Sequence, residues 1–161
     1  VSEEFKAQTK VFEGWRDKPY KDTRGVPTIG WGFNLNDKLV KALIPVEVKQ
    51  GKRPLTKEEA MPIFDRLYTR AENTARAYVG FKEFDKLPEE VKDTVTDMSY
   101  NMGGKIHGFK DMKKSILAGD SLGIALAMKD SKWFKQVGNR SKQHYLSMVN
   151  MGDYSMDSRQ E

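Results

Sequence analysis

Residues 13–35, EGWRDKPYKDTRGVPTIGWGFNL, interrupt a chain that otherwise reads as helix, and they place two carboxylates and a threonine around one short hairpin. Residues 19–22 and 26–31 read as two strands joined across Thr23-Arg24-Gly25. Strand alternation then separates two faces. Ile29, Trp31 and Phe33 point one way as core, while Thr28, Gly30 and Gly32 leave a bare backbone face for a flat, extended ligand. Upstream, Ser2 serves as an N-cap, Glu3 and Glu4 fill the first turn, and Phe5, Val11 and Phe12 make a rough apolar stripe. That helix should stop near Gly14, so Glu13 sits in its last turn. Unpaired carbonyls there disfavour a carboxylate, which should push the acid's pKa upward, as a proton donor at neutral pH requires.

Each signal has an ordinary explanation. A glutamate at a helix end is usually a solvated surface residue, and an aspartate near a glycine is usually a turn residue. Gly30-x-Gly32 lacks the third glycine and following helix of a dinucleotide loop. Together, however, Glu13, Asp22 and Thr28 follow the spacing Glu, eight residues, Asp, five residues, Thr. In this the chain resembles the phage-type lysozymes, the glycoside hydrolases related to the lysozyme of T-even bacteriophages. Tyr20, Gly25, Thr28-Ile29-Gly30 and Gly32 fit the same pattern, as do Asn101-Met102-Gly103, Phe109, Ser131-Lys132-Trp133-Phe134 and Asn139-Arg140 downstream. The resemblance covers roughly residues 3 to 150. One departure is Gly32-Phe33-Asn34, where many members have Gly-His; the ion pair that this histidine forms in some relatives has no counterpart here.

The resemblance implies an α+β, mostly α, lysozyme-like fold. A small lobe (about 13–55) with a short antiparallel β-hairpin is joined by a long helix (about 56–80) to a larger all-helical lobe (about 81–150, with the first helix, 2–13). All of 1–161 would form one domain, with a cleft between the lobes for substrate. It also implies peptidoglycan as substrate, cut by inversion between N-acetylmuramic acid and N-acetylglucosamine. Glu13 would be the acid, Asp22 would orient or deprotonate water, and Thr28 would hold that water. Arg140 would orient Glu13, and Tyr100, Asn101, Gly32 and Leu35 would contact sugar. Trp133 reads more readily as a buried indole.

Composition fits this picture. The chain of 161 residues is long enough for one domain with a sizeable core. No apolar run approaches the ~20 residues needed to span a bilayer, no secretion leader is visible, and the absence of cysteine excludes disulfides. The start at Val1 suggests processing or excision from a longer protein. A net charge of +5, from 28 basic and 23 acidic residues, is spread without a dense basic run and does not point to nucleic acid. His107 and His144 lie far apart with no HExxH motif, so no metal and no cofactor are expected, nor any membrane partner. The expected state is a monomer acting on the bacterial wall in the periplasm, as a released endolysin or carried in a virion.

The remaining sequence predicts a short helix and then a loop over 36–53. A capping box at Thr56-Lys57-Glu58-Glu59 opens a helix of about 23 residues, with Pro62 marking a kink or a later start. Further helices are predicted from Pro88 to Gly103, over 110–118 closed by Gly119, from the Asp120 cap to about Lys129, and over 139–150 with Tyr145, Leu146 and Val149. Residues 152–161 should fray, and the methionines should fill core. Competing readings are a lytic transglycosylase on the same bond, a noncatalytic wall-binding or assembly module and, more distantly, a nucleic-acid binder.

Overall fold

Three short antiparallel strands sit within a mostly helical α+β chain, described by a computed structural model over residues 2–157. The order is α1 (Glu3–Glu13), β1 (Arg16–Lys21), β2 (Pro27–Gly30), β3 (Phe33–Asn34), α2 (Lys38–Leu43), α3 (Val46–Lys49), α4 (Lys57–Val79), α5 (Phe81–Asp85) and α6 (Glu89–Met102). A 3-10 turn at Gly103–Gly108 leads to α7 (Lys110–Ala118), α8 (Ser121–Lys129), α9 (Lys132–Val137) and α10 (Asn139–Met151). The chain divides into two compact units, Glu3–Thr69 and the residues from Arg70 onward, so α4 contributes to both.

In the first unit, β1, β2 and β3 form one sheet in that order. Tyr20 pairs with Thr28 and Arg16 with Gly30, with an irregularity between the two pairs, while Ile29 pairs with Phe33. The second strand therefore stops short of Trp31, where the predicted strand ended. It ends at Gly30, turns through Trp31 and Gly32, and returns as β3. Both glycines adopt positive φ, 68° and 71°, which a residue with a Cβ rarely accepts. Ile29, Trp31 and Phe33 are nonetheless all core, and burying a side chain such as Phe33 contributes on the order of 2–3 kcal/mol. Gly30 is not a bare landing for a ligand: a Cβ there would meet the Phe33 ring at 2.7 Å.

The Thr56 capping box forms as predicted. The Glu59 N–H donates to Thr56 Oγ1 at 3.1 Å, and Glu59 Oε1 accepts from the Thr56 N–H at 3.0 Å. Arg53 forks onto the same carboxylate at 2.9 and 2.7 Å, and these bonds hold Glu59 down to about 2. With its end fixed in this way, α4 starts at Lys57 and carries Pro62 inside. The later start does not occur. Pro45 similarly opens α3, where the sequence predicts a loop; its Val48 is fully buried.

The second unit has the predicted α6 face, with Val91, Val95 and Met98 buried, and packs Met112, Met128 and Met148 into the same core. Asp120 caps α8 through the Gly123 N–H at 2.9 Å. The apolar stripe predicted for α1 is corrected. Val11 on α1 is 72% exposed, whereas Thr9 is buried. On α10, Leu146 and Val149 face solvent, and Arg140, Ser141, His144 and Met148 turn inward. The α10 interior is polar because its charges have partners there. Nor do residues 152–157 fray: the Tyr154 hydroxyl donates to the Ile116 carbonyl at 2.7 Å, and Asp153 accepts from the Ser121 N–H at 3.1 Å. Residues 158–161, part of the stretch expected to fray, lie outside the described residues.

Asp93 on α6 is held in an unfavourable environment. Its Oδ1 is buried without a hydrogen-bond partner among the described residues. Burial first, then the charge of Glu89, push its carboxyl up to about 6. The folded state thus holds this proton more tightly than the unfolded chain, and stability falls as pH rises from about 4 to 6. With solvent screening of the half-exposed group, the cost above that window is on the order of 1 kcal/mol. Asp93→Asn should raise the melting temperature at pH 7 by about 2–4 °C and leave it unchanged near pH 3.5, as thermal melts across that range would show.

Candidate active site

The first unit gathers Glu13, Asp22, Thr28, Gly32 and Leu35 around the sheet and the end of α1. Glu13 is the last residue of α1. The helix closes there because the Gly14 N–H donates to the Lys10 carbonyl at 2.9 Å and Gly14 takes a left-handed φ of 73°. Lys10, one turn earlier, lays its ammonium 4.7 Å from the ring centroids of both Trp31 and Phe64. Trp31 in turn meets Phe64 edge-on at 5.8 Å and Trp15 at 4.7 Å. These contacts fasten the end of α1 to the β2–β3 turn. At that turn the Glu13 carboxylate approaches Gly32 so closely that a Cβ on Gly32 would fall onto Oε1. Gly32 is thus a neighbour of the acid itself. Leu35 extends the hairpin by donating its N–H to the Pro27 carbonyl at 2.8 Å.

Asp22 organises the β1–β2 turn. Its Oδ1 accepts from the Arg24 and Val26 N–H groups, both at 2.9 Å, while Oδ2 lies 3.8 Å from the Arg24 guanidinium. The Gly25 N–H, at a φ of 79°, donates to the Asp22 carbonyl. Val26 links this carboxylate to the threonine: the Thr28 hydroxyl donates to the Val26 carbonyl at 2.8 Å. With its proton on Val26, the 4% exposed Thr28 oxygen presents its lone pairs to a further donor. Directly across the ladder from Thr28 is Tyr20. Burial pushes its hydroxyl up, Glu13 pushes it further, Arg16 opposes this, and Asp22 adds to it. The Arg16 guanidinium lies 4.1 Å over the Tyr20 ring. Tyr20 thus stands in the field of both carboxylates, a position that its place in the sequence pattern did not reveal.

In the second unit, Tyr100 and Asn101 lie half-buried near the end of α6. The Asn101 side-chain carbonyl accepts the Trp133 indole N–H at 2.8 Å, so Trp133 is a buried, hydrogen-bonded core residue. Arg140 is not a surface charge: Nε and Nη2 donate to Asp97 at 2.8 and 2.7 Å, a bidentate pair. His144 Nε2 meets the same carboxylate at 2.6 Å and stacks on Trp133 with 6.4 Å between centroids. Burial alone would push Asp97 up, but the charge and hydrogen bonds of Arg140, aided by His144, outweigh it and hold its carboxyl well below the usual range. Breaking such a buried pair costs about 3–5 kcal/mol. The signal in the sequence was the four-residue spacing of Arg140 and His144, which shares one helix face. Among the described residues, no group of three or more His, Cys, Asp or Glu could hold a metal ion.

Residues 10–150 match the family model described as phage lysozyme. Among curated proteins, the chain is similar to the pre-baseplate central spike protein Gp5 of Enterobacteria phage T4, with 28% identity over 142 residues, covering 80% of this chain and 24% of Gp5. The chain thus spans about a quarter of the length of that relative.

The two turn glycines provide an internal control for the Glu13 contact. Gly25 and Gly32 share a positive φ, but a Cβ at Gly25 would meet nothing within 4 Å. Each change to alanine should cost about 1 kcal/mol in backbone strain. Only Gly32→Ala should displace Glu13, visible as an altered carboxyl carbon shift and titration of Glu13 by NMR, with Gly25→Ala matching the unaltered chain.

Proposed function

The chain belongs to the phage lysozyme family, and on that premise we propose that it hydrolyses bacterial peptidoglycan at the β-1,4 bond between N-acetylmuramic acid and N-acetylglucosamine, with inversion. The observation that carries this reading is the disposition of the first unit. One carboxylic acid sits at the end of α1 against Gly32, and a second carboxylate is tied through Val26 to the Thr28 hydroxyl.

Glu13 delivers its proton to the leaving glycosidic oxygen as the bond breaks. Thr28 and Asp22 serve as two acceptors for one water. Taking both of its hydrogens aims its lone pair at the anomeric carbon, and Asp22 receives the proton released on attack. The turn that fixes Asp22 and the hydroxyl bond that fixes Thr28 cut the reorganisation this step needs. Family membership further supports Arg140 as the cation that orients Glu13, and Tyr100, Asn101, Gly32 and Leu35 as sugar contacts. The whole chain acts as one catalytic domain on the wall.

The name of the T4 relative, a central spike protein, favours a virion-borne role at entry over release at lysis. No helix among the described residues is long and apolar enough to cross a membrane, and the reading needs neither nucleic acid nor a bound metal.

Glu13→Gln, which keeps the shape and removes the acidic proton, should lower release of reducing ends from purified peptidoglycan by about 10²–10⁴-fold with the melting temperature little changed. Undiminished wall clearing by that variant would indicate a noncatalytic wall-binding module. Mass spectrometry of the products should show one added water per cut; anhydromuramic ends would indicate a lytic transglycosylase instead.

A further inference from the structure

We propose that Tyr20 is a substrate-binding residue of this site, presenting its hydroxyl to the sugar held between Glu13 and Asp22 while Arg16 clamps its ring; the assignment rests on the muramidase reading.

Four observations in the first unit converge on this residue. Tyr20 is the cross-strand partner of Thr28, so the two side chains leave the same face of the sheet side by side. The guanidinium of Arg16 lies 4.1 Å over its ring, a cation–π contact that holds an aromatic plane in one orientation. Tyr20 feels the charges of Glu13, on α1, and Asp22, on the turn, so it stands within electrostatic reach of both. Finally, Tyr20 is only half-buried, so a ligand can reach it. A core tyrosine in a purely structural role would not need this setting beside two carboxylates.

The chemistry fits the ligand. A sugar between the two carboxylates offers ring hydroxyls and an acetamido carbonyl, and a neutral phenol can donate to either. Burial first, then the charges of Glu13 and Asp22 against the opposing charge of Arg16, disfavour a phenolate at this position, so the hydroxyl remains a donor. Arg16 contributes orientation: without the clamp the ring could leave the face it shares with Thr28. A hydroxyl that binds ground state and transition state alike lowers KM and leaves kcat unchanged.

The experiment compares the chain with Tyr20→Phe, which keeps the ring and its contact with Arg16, and with Arg16→Ala. The readouts are kcat and KM on soluble, uncrosslinked glycan strands bearing peptides, together with the affinity for those strands in a Glu13→Gln background, where turnover is suppressed. Tyr20→Phe should raise KM and weaken binding about tenfold, with kcat within twofold and the melting temperature unchanged. Arg16→Ala should do the same in part, and the double variant should fall no further than Tyr20→Phe. Equal binding by Tyr20→Phe and its parent would overturn the proposal while leaving the hydrolase reading standing. If the unaltered chain cuts nothing, the hydrolase reading fails, and binding then decides alone: weaker binding by Tyr20→Phe upholds the sugar contact, and unchanged binding removes it.

Discussion

The approach of the Glu13 carboxylate to the backbone of Gly32 is the contact on which the arrangement of the first unit depends. It requires α1 to end at residue 13, the β2–β3 turn to come back under it, and no Cβ at position 32. Each condition has its own cause. Gly14 closes the helix in a left-handed conformation, Lys10 over Trp31 and Phe64 binds helix to turn, and positive φ at Gly30 and Gly32 lets the turn fold tightly enough to bury Trp31 between them. An acid packed against the backbone of Gly32 has fewer ways to reorient, which suits a group that must meet one glycosidic oxygen.

Both units handle polar side chains in the same way: the groups that matter are committed before any ligand arrives. Asp22 commits one oxygen to two turn N–H groups, and Thr28 commits its proton to Val26. In the second unit Asp97 fixes Arg140 by two bonds and His144 by a third, in a unit whose core is otherwise apolar. A buried ion pair of this kind is poor evidence for added stability, but it holds a guanidinium in one plane. That rigidity suits the role proposed for Arg140.

What could be read in the sequence was local. The helix stop at Gly14, the hairpin turn at residues 23–25, the Thr56 capping box, the Asp120 cap and the α6 core face depend on residues within a few positions of each other, and the structure has them. The spacing of Glu13, Asp22 and Thr28 pointed to the family, and the family match agrees. Readings failed where distant contacts decide. Strand alternation could not foresee that β2 breaks at Gly30, because the break is offset by packing Trp31 on Phe64, more than thirty residues away. Nor could the sequence of α10 foresee that Leu146 and Val149 face solvent while Arg140 and His144 turn in, because Asp97 on another helix receives them. Tyr20 carried a pattern match but no role until the strand register set it opposite Thr28.

The stereochemistry of cleavage tests the central claim most directly, since a water held by Asp22 and Thr28 must attack from the face opposite the leaving group. Proton NMR of freshly cut glycan strands, recorded before mutarotation, should show the α-anomer of the new reducing end appearing first from the β-linked substrate. First appearance of the β-anomer would mean two displacements through a covalent intermediate, and would contradict the water-holding role of Asp22 and Thr28.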